Sequence, residues 1–437
     1  MKRGVRILAA VGSIVLLLIS WLVAATAETE EDIQLERMKQ AEAYLADEIY
    51  VRAVPLLEEA AGYETEYTFE IEETLKSVYL KLKDTSGYTK KYLNLLDKQM
   101  NRTGAPVEIF EEAARYYLDR SKLQEVLSIL KDGIKKTGSA ELLELYEEHR
   151  YQYRMERTSY DDVTEIFNGA IQVRESDGWG LAAANGSLVI PCRYEQISTY
   201  YSGQAIVREG DTVTGIDQNG NRVALLHGTA SEISNYSENR LGLKQDGHWI
   251  LANQNLATGS ATFEELGMYS NGAAPAKQNG KWGLIGPSGT EWVLPAEYDG
   301  IICDELGRGY MDQTVFVQKN GQVQLLVEGK NVGDIYEDAR PFNGGWAAVK
   351  KNGKWGFIDK SGTVQIDYQF DDARSFSGHL AAVKQGEYWG YVSLRGEIVI
   401  EPVFLGAKSF YTGKAPVQTE RGWQFISLRE YEEGGGF

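Results

Sequence analysis

The chain has 437 residues, 43% of them hydrophobic and 25% charged, a globular composition long enough for two or three domains. Its 45 Lys and Arg against 63 Asp and Glu give a net charge of −18. No basic stripe of the kind a phosphate backbone needs is present, which sets nucleic acid aside as a partner. Two cysteines, Cys192 and Cys303, and four scattered histidines suit neither a disulfide scaffold nor a transition-metal site, so no metal and no cofactor are expected.

Lys2, Arg3 and Arg6 precede an uncharged run over residues 7–25. Its length is close to the ~20 residues of a membrane-crossing helix. Positive charge before the run and acid after it, from Glu28 to Asp32, orient the N-terminus inside and the rest of the chain outside. Two readings of residues 1–27 follow. One is an anchor holding the protein to the cytoplasmic membrane by a single pass. The other is a signal peptide cleaved near Ala27, after Ala25-Thr26-Ala27, which releases a secreted protein. The run exceeds the ~7–15 apolar residues usual in a signal peptide, which favours the anchor.

Residues 31–157 read as helical, with apolar spacing kept to about Arg154. Tyr44-Leu45, Tyr50, Ala53, Leu56-Leu57 and Ala60 form one stripe, stopped at Gly62. Further stripes run through Leu75, Val78-Tyr79 and Leu82, then through Ile109-Phe110, Ala113 and Tyr116-Tyr117. Ser121 with Gln124 predicts a capping box, and Ser139 an N-cap. Tyr44, Tyr79 and Tyr117 are spaced 35 and 38 residues apart. That is near the tetratricopeptide period of ~34, and Tyr50-x-x-Ala53-x-Pro55-Leu56-Leu57-x-x-Ala60 resembles the second helix of such a repeat. A generic helical bundle is the alternative. Either form offers a stacking or docking surface.

Residues 158–437 repeat a frame eight times. The segment from Trp346 through Lys354-Trp355-Gly356-Phe357-Ile358 to Gly362 matches that from Leu380 through Tyr388-Trp389-Gly390-Tyr391-Val392 to Gly396. The same frame recurs at Trp179, Trp249, Trp282 and Trp423, with Val213 and Val323 in the Trp position of two copies. Each unit predicts three strands joined by tight turns, then an acidic-aromatic segment ending in a short fourth strand. Asn185-Gly186 and Asn219-Gly220 predict two-residue primed turns. The Lys-Trp-Gly-Phe-Ile core resembles the WG β-repeat family of bacterial proteins, most closely over 346–378, 380–413 and 273–300. That resemblance implies binding or scaffolding rather than a reaction.

The last copy stops after its Trp strand, while Tyr160-Asp161-Asp162-Val163 precedes the first copy as an unmatched acidic segment. Complementary ends suit a closed propeller-like ring of up to eight blades, with an open β-solenoid as the alternative. The expected architecture is therefore a membrane helix, α-helical hairpins and an all-β repeat ring.

The six repeat tryptophans, Trp179, Trp249, Trp282, Trp355, Trp389 and Trp423, read as inter-blade core. The acid pairs Asp161-Asp162, Glu264-Glu265 and Asp371-Asp372 read as turn residues. Only Asp304 and Glu305, in the longest repeat spacing, break the pattern, as a catalytic pair would. The expected function is a non-enzymatic scaffold, tethered or exported, that binds protein partners or cell-envelope glycan. The alternative is a propeller enzyme acting on carbohydrate or peptidoglycan, with Asp304 and Glu305 at its centre.

Overall fold

The computed structural model describes residues 29–430 except Asp177. The apolar run at 7–25 lies outside the described residues. Among the described residues, no helix is long and apolar enough to cross a membrane. The chain divides into two units, residues 1–146 and 147–437.

Among the described residues, seven helices build the first unit and its exit: α1 (Glu30–Ala46), α2 (Tyr50–Ala60), α3 (Thr68–Lys81), α4 (Tyr88–Met100), α5 (Val107–Leu118), α6 (Leu123–Thr137) and α7 (Ala140–Arg150). Tyr44, Tyr79 and Tyr117 fall in α1, α3 and α5, the leading helix of each successive pair. One core, with Ala53, Leu57, Ile71, Leu75 and Leu96, joins α1 through α5. A second, with Phe110, Val126, Leu130 and Leu142, joins α5 to α7. Pro55 sits sixth in α2 rather than in its first turn, so the helix tolerates one lost backbone bond. The expected capping box is absent. Lys122 stands at the N-cap of α6 with no side-chain bond, and Ser121 takes φ 55°. Ser139 does cap α7, its Oγ accepting from Leu142 N at 3.3 Å.

Helical spacing was expected to run to Arg154, but α7 ends at Arg150 and Tyr153–Met155 is a β-strand. That strand pairs antiparallel with Gly422–Leu428, in register Tyr153↔Leu428. It supplies the fourth strand that the last repeat lacks. Tyr160 also bridges Trp423 through two backbone bonds of 2.8 and 2.9 Å. The ring is closed.

Eight four-stranded antiparallel sheets form the second unit. We number them blades 1 to 8: residues 162–194, 196–225, 232–263, 265–298, 300–336, 338–370, 372–404 and 406–428, the last completed by 153–155. Thirty-four residues suffice for a blade because the inner strand has shrunk to two residues, as in Asp372–Ala373. The two middle strands are buried on both faces, as at Lys354–Asp359, because a neighbouring blade covers each face. The outer strand alternates, as at Val364–Phe370. Eight apolar clusters lie at the eight blade interfaces, including the one between blades 8 and 1, where Tyr160 and Val173 meet Phe425.

The turn chemistry differs from expectation in an instructive way. At Ala183–Ser187 the hairpin closes over three residues, Ala183 N bonding Ser187 O and Gly186 N bonding Ala183 O, both at 2.8 Å. Of Asn185 and Gly186 only the glycine takes positive φ, at 83°. The loop is thus a type I turn with a glycine bulge. Two-residue primed turns occur instead between the middle strands, at Asn279-Gly280, Asn320-Gly321 and Asn352-Gly353, where both residues take positive φ.

The glycine after the repeat tryptophan has a steric cause. Trp355 pairs with Phe370 but Phe357 pairs with Ile366, so the outer strand carries two extra residues there. Their backbone lies against Gly356, where a Cβ would meet Ile366 O at 2.7 Å. The same register shift faces Gly180, Gly283 and Gly390. In blade 3, where Ile250 rather than a glycine follows Trp249, the shift comes one residue later, between Ile250 and Ala252.

Candidate functional site

Each two-residue inner strand is followed by a segment facing the ring axis. The first residue of that segment is Thr164, Ser198, Ser234 or Gly267 in blades 1 to 4 and Ile302 in blade 5. It is Arg340, Arg374 and Lys408 in blades 6, 7 and 8. This frame position therefore holds small neutral residues on one side of the ring and cations on the other.

The extra residues of blade 5 enter this channel. The loop around Asp304–Arg308 contributes to two cavities, one of about 600 Å³ towards blades 6 to 8 and one of about 440 Å³ towards blades 1 to 4. Asp304 and Glu305 line both. Asp304 shapes the loop. Its carboxylate accepts from Leu306 N at 3.0 Å, from Arg308 N at 2.9 Å and from Arg308 Nε at 2.7 Å. Gly307 takes φ 90°, a left-handed conformation that glycine adopts without strain. Two blades hold the loop backbone: Asn235 Nδ2 donates to Leu306 O at 3.0 Å and Met268 N to Gly307 O at 2.9 Å.

Glu305 reaches the cationic side. Arg374 Nη2 donates to it at 2.6 Å, and Lys408 Nζ donates to its other oxygen. Arg374 is fully occupied, since its Nη1 donates to Glu165 at 2.9 Å and its Nε to Ala407 O at 2.7 Å. Glu165 in turn accepts from Ser409 N at 2.9 Å. Burial acts to raise the Glu305 carboxyl, but Arg374 and Lys408 outweigh it and hold the group below the usual glutamate range. Burial, with Asp304 beside it, pushes the Cys303 thiol up to about 12.

The other candidates have structural surroundings. Every repeat tryptophan joins a cluster between its own blade and the next: Trp179, Trp249, Trp282, Trp355, Trp389 and Trp423. A cation covers several of these rings, closest for Arg340 over Trp355 at 4.3 Å. The first acid of the acidic-aromatic segment latches the turn between the middle strands. Asp161 accepts from Ser176 N and Asp371 from Gly386 N, each at 2.7 Å, and Glu264 from Gly280 N at 3.0 Å. Asp217 accepts from Asn219 N and Asn221 N within its own turn. Among the described residues, no group of three or more His, Cys, Asp or Glu is placed to hold a metal ion.

Sequence reasoning found the loop through its spacing but missed Glu165, Arg340, Arg374 and Lys408. The signal was available: three successive units carry a cation at one frame position where the others do not.

The family described as WG containing repeat matches residues 179–212, 260–282, 334–355, 355–389 and 389–423. These stretches, less than half of the chain, show that the C-terminal region carries WG-type β repeats. No curated protein matches the chain. Among solved structures, it is similar to a "eukaryotic initiation factor", at 12% identity over 57% of this chain and 78% of that one, with a TM-score of 0.39. It is similar to the Neurospora crassa Pan2 WD40 domain, at 9% over 63% and 91%, TM-score 0.35. It is also similar to BBS1N in complex with ARL6DN, at 10% over 65% and 99%, TM-score 0.34. Likenesses this remote say nothing of what the chain binds.

Proposed function

We propose that the protein is a non-enzymatic interaction scaffold. Its propeller, and a tetratricopeptide-like helical unit before it, engage protein partners or cell-envelope glycan. Residues 7–25 tether it to the cytoplasmic membrane with the bulk outside, or are removed near Ala27 to release it.

The observation that carries the binding reading is the state of the two axial acids. Catalysis by a carboxyl pair needs one group that holds a proton near neutral pH. Asp304 is committed to three donors of its own loop, and Glu305 is ionised between Arg374 and Lys408. Both are spent on positioning, and the cavity beside them is left for recognition.

The test is to hold the full chain on a resin against envelope extract and to analyse both the retained and the released material. Retention of a protein or glycan that elutes at its original length is the expected result. Glycan that returns shortened, with shortening lost in the Asp304→Ala, Glu305→Ala double variant, would overturn the reading in favour of a carbohydrate- or peptidoglycan-acting enzyme.

A further inference from the structure

We propose that the axial channel is a binding site for a peptide segment of a partner that carries a single carboxylate, and that the blade 5 loop fills it in cis, with Glu305 standing in for the partner's carboxylate. The inference deepens the interaction reading above and rests on it.

The cations are the first argument. A ring of repeats needs no charge at this position, since blades 1 to 4 close without one. Placing Arg374 and Lys408 there, with side chains 21% and 8% exposed, is costly unless each is paired. Glu305, the acid both share, comes from outside the repeat pattern.

The loop itself is the second argument. It is a short peptide already seated in the channel. Donors from blades 3 and 4 take its carbonyls, and cations from blades 7 and 8 take its one projecting carboxylate. Backbone capture plus one anchored charge is how an extended peptide is recognised.

Room and an unused acceptor make the third argument. The cavity of about 600 Å³ adjoins the Glu305–Arg374 pair. In the smaller cavity, Gln172 is 8% exposed. Its Nε2 is engaged by Ile197 O and Asn235, while its Oε1 has no donor. Such an orphan acceptor in the wall of the cavity is costly.

Charge balance narrows the ligand. With the loop displaced, the larger cavity keeps two acids, Glu165 and Asp372, and two arginines, Arg340 and Arg374. A polyanion would be repelled, whereas one carboxylate on an otherwise neutral segment fits.

The probe is a labelled, end-capped peptide of the loop's own sequence, residues 304–309, beside the same peptide with Gln in place of its Glu. Binding is read by fluorescence anisotropy on the full chain. Three proteins are compared: wild type, Glu305→Gln, and a chain with residues 304–308 replaced by two glycines. The loop-shortened chain is expected to bind the Glu peptide at least about tenfold more tightly than wild type, and to lose about tenfold with the Gln peptide. If the loop-shortened chain does not fold, as judged by its thermal transition, Glu305→Gln decides, because it takes the loop's carboxylate off Arg374 and Lys408 while Asn235 and Met268 still hold the loop backbone. It too is expected to bind more tightly than wild type. No gain in the folded variants, or equal binding of both peptides, would overturn the proposal. Envelope partners still retained by those same variants would then leave the broader interaction reading standing.

Discussion

Gly356 and Glu305 show how single positions answer to different demands. Gly356 is fixed by the outer-strand backbone lying over it. Gly356→Ala forces that backbone aside and is expected to cost about 1–3 kcal/mol, read as a lower urea midpoint of the full chain. An unchanged midpoint would refute the steric account of the Trp-Gly pair. Glu305 is fixed by charge. Its folded carboxyl lies below its unfolded value because Arg374 and Lys408 outweigh the effect of burial. Its contribution to stability is therefore complete above the unfolded glutamate pKa of about 4.3 and is lost as pH falls from there through the folded value. Glu305→Gln is expected to flatten the acid limb of the stability curve below about pH 4.3. Equal acid sensitivity in both proteins would show that the pair is not formed in solution. At this scale the sequence was legible where the repeat is obeyed and opaque where it is broken. The tryptophan frame could be read directly. The partners of Glu305 could not, because Arg374 and Lys408 lie 69 and 103 residues away in the chain.

Elements were legible to the extent that their signals are local. The strand–turn–strand order of each blade follows from alternation and glycine spacing, and the helical pairs from the recurrence of Tyr44, Tyr79 and Tyr117. The end signals were less secure. A capping box at Ser121 has the right spacing, yet the chain places Ser121 at φ 55°, one residue too early to cap. Ser139, with the same composition signal, does cap. Ser139→Ala is thus expected to lower stability by about 1 kcal/mol. Ser121→Gly, which suits the left-handed backbone, is expected to leave it unchanged or raise it. Both are measured by urea unfolding, and the opposite order would contradict the assignment. The paired Asn-Gly signals misled for a related reason: the same dipeptide serves a two-residue and a three-residue loop, and the flanking strand register decides between them. The turn latch belongs here too. Asp371→Ala removes the acceptor of Gly386 N and is expected to cost about 1 kcal/mol by the same measurement, with no effect counting against a structural role for the acid pairs.

Closure governs the molecule as a whole. Half-unit complementarity of the ends was visible in the sequence, but the strand that completes blade 8 was hidden, since Tyr153–Met155 follows directly on a helix and shares its apolar spacing. Without closure the last blade exposes an unpaired edge, and Glu165 of blade 1 is parted from Arg374 and Ser409 of blades 7 and 8. The functional reading therefore stands or falls with the ring. The direct measurement is disulfide trapping of the closing pair. Tyr153 and Leu428 are cross-strand partners, so Tyr153→Cys with Leu428→Cys, in a chain whose Cys192 and Cys303 are replaced by Ala, is expected to form an intramolecular disulfide under mild oxidation. Mass spectrometry of the proteolysed protein reports it as one peptide joining the two ends of the propeller. Cysteines that stay free in the folded monomer would contradict closure, and with it the axial site.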